Sequence, residues 1–304
     1  MTTFNEMLKA KWNEGKFVCI GLDSEHEKIP QCIRVNCPTK REGILRFNER
    51  IVNATGDKAL AYKPNLAFYL GHGPWGFQAL LETIEYIRRF APDVPVILDA
   101  KDMDIGNTNV GYVQMAFEQC GADAITVNPY LGMEAAQPFL DQKDKGIIVL
   151  CRTSNKGAGE FQDLSIRLAT MEPGQKREEF LRLEQQMGHE LSDGSVPLYQ
   201  YVAFRVAEYW NKNGNCALVV GATYPDELRE VRRIVGDMPI LIPGVGAQGG
   251  DVEATVMAGK NSHGQGMIIN SSRGIIFASY GSDFAEAARR ETEKLNNLIN
   301  QYRN

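Results

Sequence analysis

The chain has 304 residues, 43% of them apolar and 23% charged, and a formal charge of -5 from 33 basic and 38 acidic side chains. That length supports a large core. The acidic balance speaks against a general nucleic-acid binder, which carries a basic excess. No apolar run reaches the ~18 residues that span a bilayer, and the polar start MTTFNEMLKAKWNEGK has no signal-like apolar core, so no membrane association and a cytoplasmic location are expected. The six cysteines, at 19, 32, 37, 120, 151 and 216, contain no C-x-x-C pair and are too sparse for a disulfide scaffold. They read as reduced core thiols.

Eight short apolar runs follow one another. They are FVCIGL from Phe17, ALAYKPN from Ala59, VPVILDAK from Val94, AITVNP from Ala124, GIIVLCRTS from Gly146, CALVVGAT from Cys216, PILIPGV from Pro239 and GMIINSS from Gly266. Runs apolar on both faces suit the buried strands of a parallel sheet. Helical spacing lies between them. Pro74 opens one pattern through Phe77, Leu80, Leu81, Ile84 and Ile87. Val110, Val113, Phe117 and Cys120 form another, with Gly121 as its stop. Ser282 is placed to cap a last helix carrying Phe284, Ala288, Leu295 and Ile299. Eight strand-helix alternations predict a (β/α)8 TIM barrel spanning residues 1–304 as a single domain. A doubly wound sheet is the alternative, but no G-x-G-x-x-G follows the first run. Two connections are long and read as insertions: 24–58 after the first strand, and about 155–215 after the fifth. The second holds helical patterns at Phe180–Met187 and Leu198–Trp210.

Reactive groups of such barrels sit at the carboxyl ends of the strands. Those ends carry Asp23, then Lys63, then Asp99 and Lys101 followed by Asp104. Beyond them come Asn128, Arg152 with Thr153 and Ser154, the loop PGVGAQGGD, and Ser271, Ser272 and Arg273. Asp99 and Lys101, two apart, share one strand face. Their charges need pairing, which Lys63 can supply. A structural ion-pair network is the plain alternative. Asp102 falls on the opposite face and is expected in solvent without a role. The glycines of PGVGAQGGD allow a ligand close to the backbone, and Gln248 with Arg273 suits a phosphate. The histidines, at 26, 72, 189 and 263, show no ligand spacing, so no metal site is assigned.

With these residues on the page, the chain resembles the orotidine 5′-phosphate decarboxylases. LDAKDMDIGNT (98–108) is similar to that family's Asp-x-Lys-x-x-Asp-Ile-x-x-Thr signature. Asp23, YKPN with Lys63, PGVGAQGGD and Arg273 follow the family's order across 17–275. The insertion at 155–215 and the PLYQY segment resemble the longer bacterial-type subgroup. Asp102 and Met103 depart from a common Arg-Gly, and Ser272 from a common Gly.

The resemblance implies decarboxylation of orotidine 5′-phosphate to UMP, the last step of de novo pyrimidine synthesis, without a cofactor. It implies Lys101 as proton donor to C6, Asp99 beside the substrate carboxylate, Lys63 between Asp99 and the ribose, and Asp23 on a ribose hydroxyl. Ser154 would contact the base, with neighbouring Thr153 as the alternative. Pro243 would lie against the base, and Gln248 and Arg273 would hold the phosphate. Asp104, Ile105 and Thr108 match residues that enter the other subunit's site, which implies a homodimer with shared active sites.

The chemistry is consistent with that array. Loss of CO2 leaves a carbanion without an electron sink, so fixed charge must stabilise it. Two unit charges ~4 Å apart interact by roughly 4 kcal/mol at an effective dielectric near 20. Flanking Asp99 and Asp104 would keep Lys101 charged. Two other functions remain open on the residues alone: a metal-dependent sugar-phosphate lyase or epimerase, which a chelator would stop, and a non-catalytic nucleotide-binding protein, which would bind UMP without turnover.

Overall fold

The computed structural model describes residues 2–167, 175–188, 194–245 and 250–304. Ten strands are present among them. Eight form one parallel sheet in the order β2-β1-β10-β9-β8-β5-β4-β3. These are β1 (Val18–Gly21), β2 (Ala61–Lys63), β3 (Ile97–Asp102), β4 (Ala124–Val127), β5 (Gly146–Arg152), β8 (Cys216–Val220), β9 (Ile240–Pro243) and β10 (Met267–Ser271). Each coincides with one of the eight apolar runs. Isolated parallel bridges, Tyr62 to Val96 and Asn65 to Asp99, join the two outer strands. The Tyr62 amide donates to Pro95 O and the Asp99 amide to Pro64 O, both at 3.0 Å. The sheet therefore closes into a barrel. β1, β4, β8 and β10 are buried at every residue, because closure packs one face inward and helices cover the other.

The first helix, Phe4–Asn13, was not evident in the polar start of the chain. Thr3 and Glu6 form a reciprocal capping box. Phe4, Leu8 and Trp12 recur every four residues and are buried. The Trp12 indole donates to Met267 O at 2.8 Å, and the Phe4 amide to Asp144 O at 2.9 Å. Both acceptors lie where strands begin, so this helix covers the amino end of the barrel and leaves the carboxyl end open.

The helix predicted from Pro74 runs Pro74–Phe90. The next is Gly106–Val113 continued by a wider turn, Gln114–Gln119, and Gly121 follows with a left-handed φ of +67°. Val113, Phe117 and Cys120 are buried there, but Val110 is exposed. Ser282 does not cap the final helix. That helix is Phe284–Arg303, with Asp283 at the cap position. The Asp283 carboxylate is engaged by Ser279 and Arg290 instead.

The connection after β1 includes the barrel's own crossover helix, Lys40–Thr55, so its added part is confined to 24–39. The connection after β5 carries both expected helices, Gln175–Met187 and Leu198–Arg205, the latter extended by Val206–Trp210. It also carries an antiparallel hairpin of β6 (Ser165–Arg167) and β7 (Ser195–Pro197), which has no alternating pattern to announce it. All six cysteines are free. Cys32 is exposed and Cys37 half-buried, so these two are not core thiols. No helix among the described residues is long and apolar enough to cross a membrane.

Gly146 opens β5 against the first helix. A Cβ there would stand 2.3 Å from Phe4 Cδ1 and 2.8 Å from Ala124 Cβ. Gly146→Ala is therefore expected to destabilise the protein by about 1–3 kcal/mol through overpacking. Urea denaturation should show a lower midpoint with an unchanged slope.

Candidate active site

A cavity of about 650 Å³ opens at the carboxyl end of the barrel. Of the strand-end residues named from the sequence and described in the structure, Asp104, Asn128 and Arg152 do not line it. Its wall includes Asp23, Lys63, Asp99, Lys101, Ser154, Pro243 and Arg273. Gln248 lies outside the described residues.

The centre of the site is the Asp99 carboxylate, which is 8% exposed. Its Oδ2 accepts from Lys63 Nζ at 2.6 Å and Asn65 Nδ2 at 3.4 Å. Its Oδ1 accepts from Lys101 Nζ at 2.5 Å and Thr126 Oγ1 at 3.0 Å. Burial on its own pushes the Asp99 pKa up, but Lys63 and then Lys101 outweigh it, and the carboxyl sits well below its usual range. Burial likewise pulls Lys63 down, yet Asp99 and then Asp23 hold it above the usual lysine value. Both groups are charged near neutral pH. Lys63 is buried, whereas the Lys101 side chain is 46% exposed and reaches into the cavity.

Asp99 and Lys101 do meet, but not on a regular strand. Leu98 pairs with Ile125 and Asp102 with Val127, so Asp99, Ala100 and Lys101 face the single residue Thr126. This is a bulge. Lys101 has φ +59°, the one left-handed non-glycine among the described residues. Such a conformation costs of order 1–3 kcal/mol.

The surroundings of Asp102 also differ from the expectation. Simple alternation puts it in solvent. It is half-buried, its Oδ2 is screened without a hydrogen-bond partner, and burial raises its pKa.

Asp104 is not brought to Lys101 within one chain. Its Oδ1 accepts from the Ile105 amide at 2.6 Å, and its own amide donates to Asn109 Oδ1 at 2.8 Å. Ile105 and Thr108 are exposed and are not part of the cavity wall.

Several residues in or bonded to the site were not singled out from sequence. Asn65 was visible within YKPN. Thr126 is the polar residue of an otherwise apolar strand, which is a signal of an inward polar role. Gln162 had none, because the insertion carries it back over β5. Its Oε1 accepts from the Thr153 amide at 2.9 Å, and its Nε2 donates to Thr153 Oγ1 at 3.0 Å. Thr153 Oγ1 also donates to Asn155 at 2.7 Å. Ser154 passes so close to Gly221 that a Cβ on Gly221 would lie 2.8 Å from the Ser154 Cβ. Arg152 is buried away from the ligand space, paired with Asp163 at 2.9 Å and stacked 4.1 Å over the Tyr224 ring.

Across the mouth, Arg273 starts the short helix Arg273–Ile276 after β10. It makes no ion pair among the described residues. Ser272 fits because Gly21 faces it: a Cβ on Gly21 would lie 1.8 Å from Ser272 Oγ. Gly244, at φ +100°, begins the loop that follows β9.

Because Asp99 titrates lower in the fold than the ~3.9 of an unfolded chain, its contribution to stability is present above about pH 4 and lost as pH falls below it. Asp99→Asn should flatten that acid limb in denaturation midpoints between about pH 5 and pH 3. At neutral pH it should cost about 3–5 kcal/mol, since the buried Lys63 ammonium loses its partner.

The model of the "Orotidine 5'-phosphate decarboxylase / HUMPS family" matches residues 16–290. A protein of Janthinobacterium sp. (strain Marseille), named orotidine 5′-phosphate decarboxylase, is 45% identical over 302 residues and covers 99% of both chains. One of the same name from Cellvibrio japonicus (strain Ueda107) is 44% identical over 299 residues, 98% of each. The solved structure of Leishmania donovani OMP decarboxylase superposes with a TM-score of 0.76 at 33% identity, covering 98% of this chain and 99% of that one. On the full-length match and the closed barrel together, this chain belongs to the orotidine 5′-phosphate decarboxylase family.

Proposed function

We infer that this chain converts orotidine 5′-phosphate to UMP and CO2, with Lys101 as the group that delivers the proton to C6. The observation that carries this reading is the Lys63–Asp99–Lys101 array, fixed at the strand ends of an open cavity. The substrate loses a carboxylate and leaves an electron pair on C6. An ammonium already in place stabilises that pair without reorganising, and its proton then forms the new C–H bond. Lys101 Nζ stands 2.5 Å from the Asp99 carboxylate and is exposed enough to meet a ligand.

Asp99 lies beside the position of the departing carboxylate in this reading. Repulsion there raises the ground state, but stabilisation of the developing carbanion is the larger and better-founded effect. The full donor set of Asp99 also bears on the metal-dependent alternative. Two ammonium groups and two further donors occupy its oxygens, so it offers little to a cation.

Asp23 and Lys63 hold the ribose, Pro243 and Ser154 the base. Both Thr153 and Ser154 line the cavity, and the Thr153 hydroxyl bonds Asn155 and Gln162. Arg273 and Gln248 hold the phosphate. β2 and β1 separate β10 from β3 around the barrel, so phosphate binding anchors the substrate at one side while chemistry proceeds at the other. Binding energy from the unreactive phosphate then presses the base against fixed charge.

A homodimer goes with this reading, as does a cytoplasmic location. Ile105 is 66% exposed and Tyr130 92%, with Val110 and Leu131 also open to solvent. Such apolar surface after β3 and β4 suits an interface. In the dimer, Asp104, Ile105 and Thr108 of each copy complete the site of the other, placing a second carboxylate near Lys101.

Incubation with orotidine 5′-phosphate should yield UMP and CO2 in equal amounts, at an unchanged rate in excess chelator. Lys101→Ala should lose at least a thousandfold in kcat; retention of the full rate would refute the assignment. Ile105→Glu should sediment as a monomer at micromolar concentration and lose at least tenfold in activity, whereas an unchanged dimer with full activity would count against the shared site.

A further inference from the structure

We propose that Thr126 is a positioning residue for the decarboxylation, holding the Lys101 backbone in the left-handed conformation that aims its ammonium. The proposal rests on the reading of Lys101 as proton donor. Thr126 is 1% exposed and lies in the middle of β4, facing the bulge. Its hydroxyl makes two bonds with opposite sense. It accepts from the Lys101 amide at 3.0 Å and donates to Asp99 Oδ1 at 3.0 Å. That carboxylate oxygen also accepts from Lys101 Nζ at 2.5 Å. One hydroxyl therefore ties the start of the lysine side chain, and the acceptor at its end, to the same point.

The physical need is specific. A bulge removes the ladder partner of the residue it extrudes. The Lys101 amide would otherwise lack a strong acceptor, and an L-residue at φ +59° relaxes unless its surroundings hold it. The carbonyl side of the same residue is held by Asn128 Nδ2 at 3.3 Å. Lysine has four side-chain torsions and here is nearly half exposed. With its backbone free, it could keep the Asp99 contact in several geometries, of which few direct a proton at one carbon. Holding both ends restricts that set, which is the entropic part of catalysis.

The test is Thr126→Val, which keeps the branched shape and removes the hydroxyl, set against Thr126→Ser, which keeps the hydroxyl. Thr126→Val is expected to lower kcat by 10- to 100-fold while KM for orotidine 5′-phosphate changes less than about threefold. Thr126→Ser should stay within about threefold of wild type. A purely structural role would not divide kcat from KM in this way or be rescued by serine. If the valine variant does not fold, Thr126→Ala carries the same comparison. A folded Val or Ala variant with full kcat, in a protein where Lys101→Ala is inactive, overturns the role of Thr126 and leaves the assignment of Lys101 standing. Full activity of Lys101→Ala overturns that assignment itself.

Discussion

The structure turns on a buried carboxylate that is shared between two lysines. Asp99 would be unstable as an anion in the barrel without Lys63, and Lys63 would be unstable as a cation without Asp99. Each makes the other's charge tolerable. The consequence for Lys101 is that its partner is already ionised, immobile and saturated with donors. In the proposed reaction Lys101 would meet the substrate from a fixed position, so little rearrangement would be needed at the moment charge appears on carbon.

That arrangement requires a scaffold that does not yield. The eight strands close on themselves, and the inner layers hold Val, Ile, Leu and Ala with almost no exposure. The Phe4–Asn13 helix fills one end, so chemistry is confined to the other. Behind Asp23 a second buried network anchors β1's exit: Ser24 donates to Asn48, Asn48 donates to Tyr69 and Thr83, and Tyr69 donates to Leu22 O. Stability at the amino end and the closed core support strain at the carboxyl end, where Lys101 leaves the ordinary strand conformation.

The insertion after β5 acts on the site through few contacts. Gln162 holds Thr153, and Asp163 holds Arg152, so the turn that carries Ser154 is braced from outside the barrel. Gly221 on the neighbouring strand leaves room for that turn to pass. The Ser154 side of the cavity is thus built from three separate segments, whereas Lys63, Asp99, Lys101 and Thr126 come from β2, β3 and β4.

The eight strands were legible in the sequence because a closed parallel sheet buries both faces, and continuous Val- and Ile-rich runs are the direct result. Asp23, Lys63, Asp99, Lys101, Pro243 and Arg273 were legible because strand ends in a barrel converge wherever the strands themselves are found. The Phe4–Asn13 helix was missed because Lys9, Lys11 and Asn13 dilute its apolar stripe, and the β6–β7 hairpin because three residues per strand carry no period. Asp102 was expected in solvent and is half-buried, and the two extra residues in β3 are revealed only by pairing with β4. Thr126 and Gln162 acquired their roles from neighbours 25 and 9 residues away. Local sequence determines which segments are strands and which ends bear charge. The left-handed turn at Lys101, and the hydroxyl that holds it, were decided by the packing of one strand against the next.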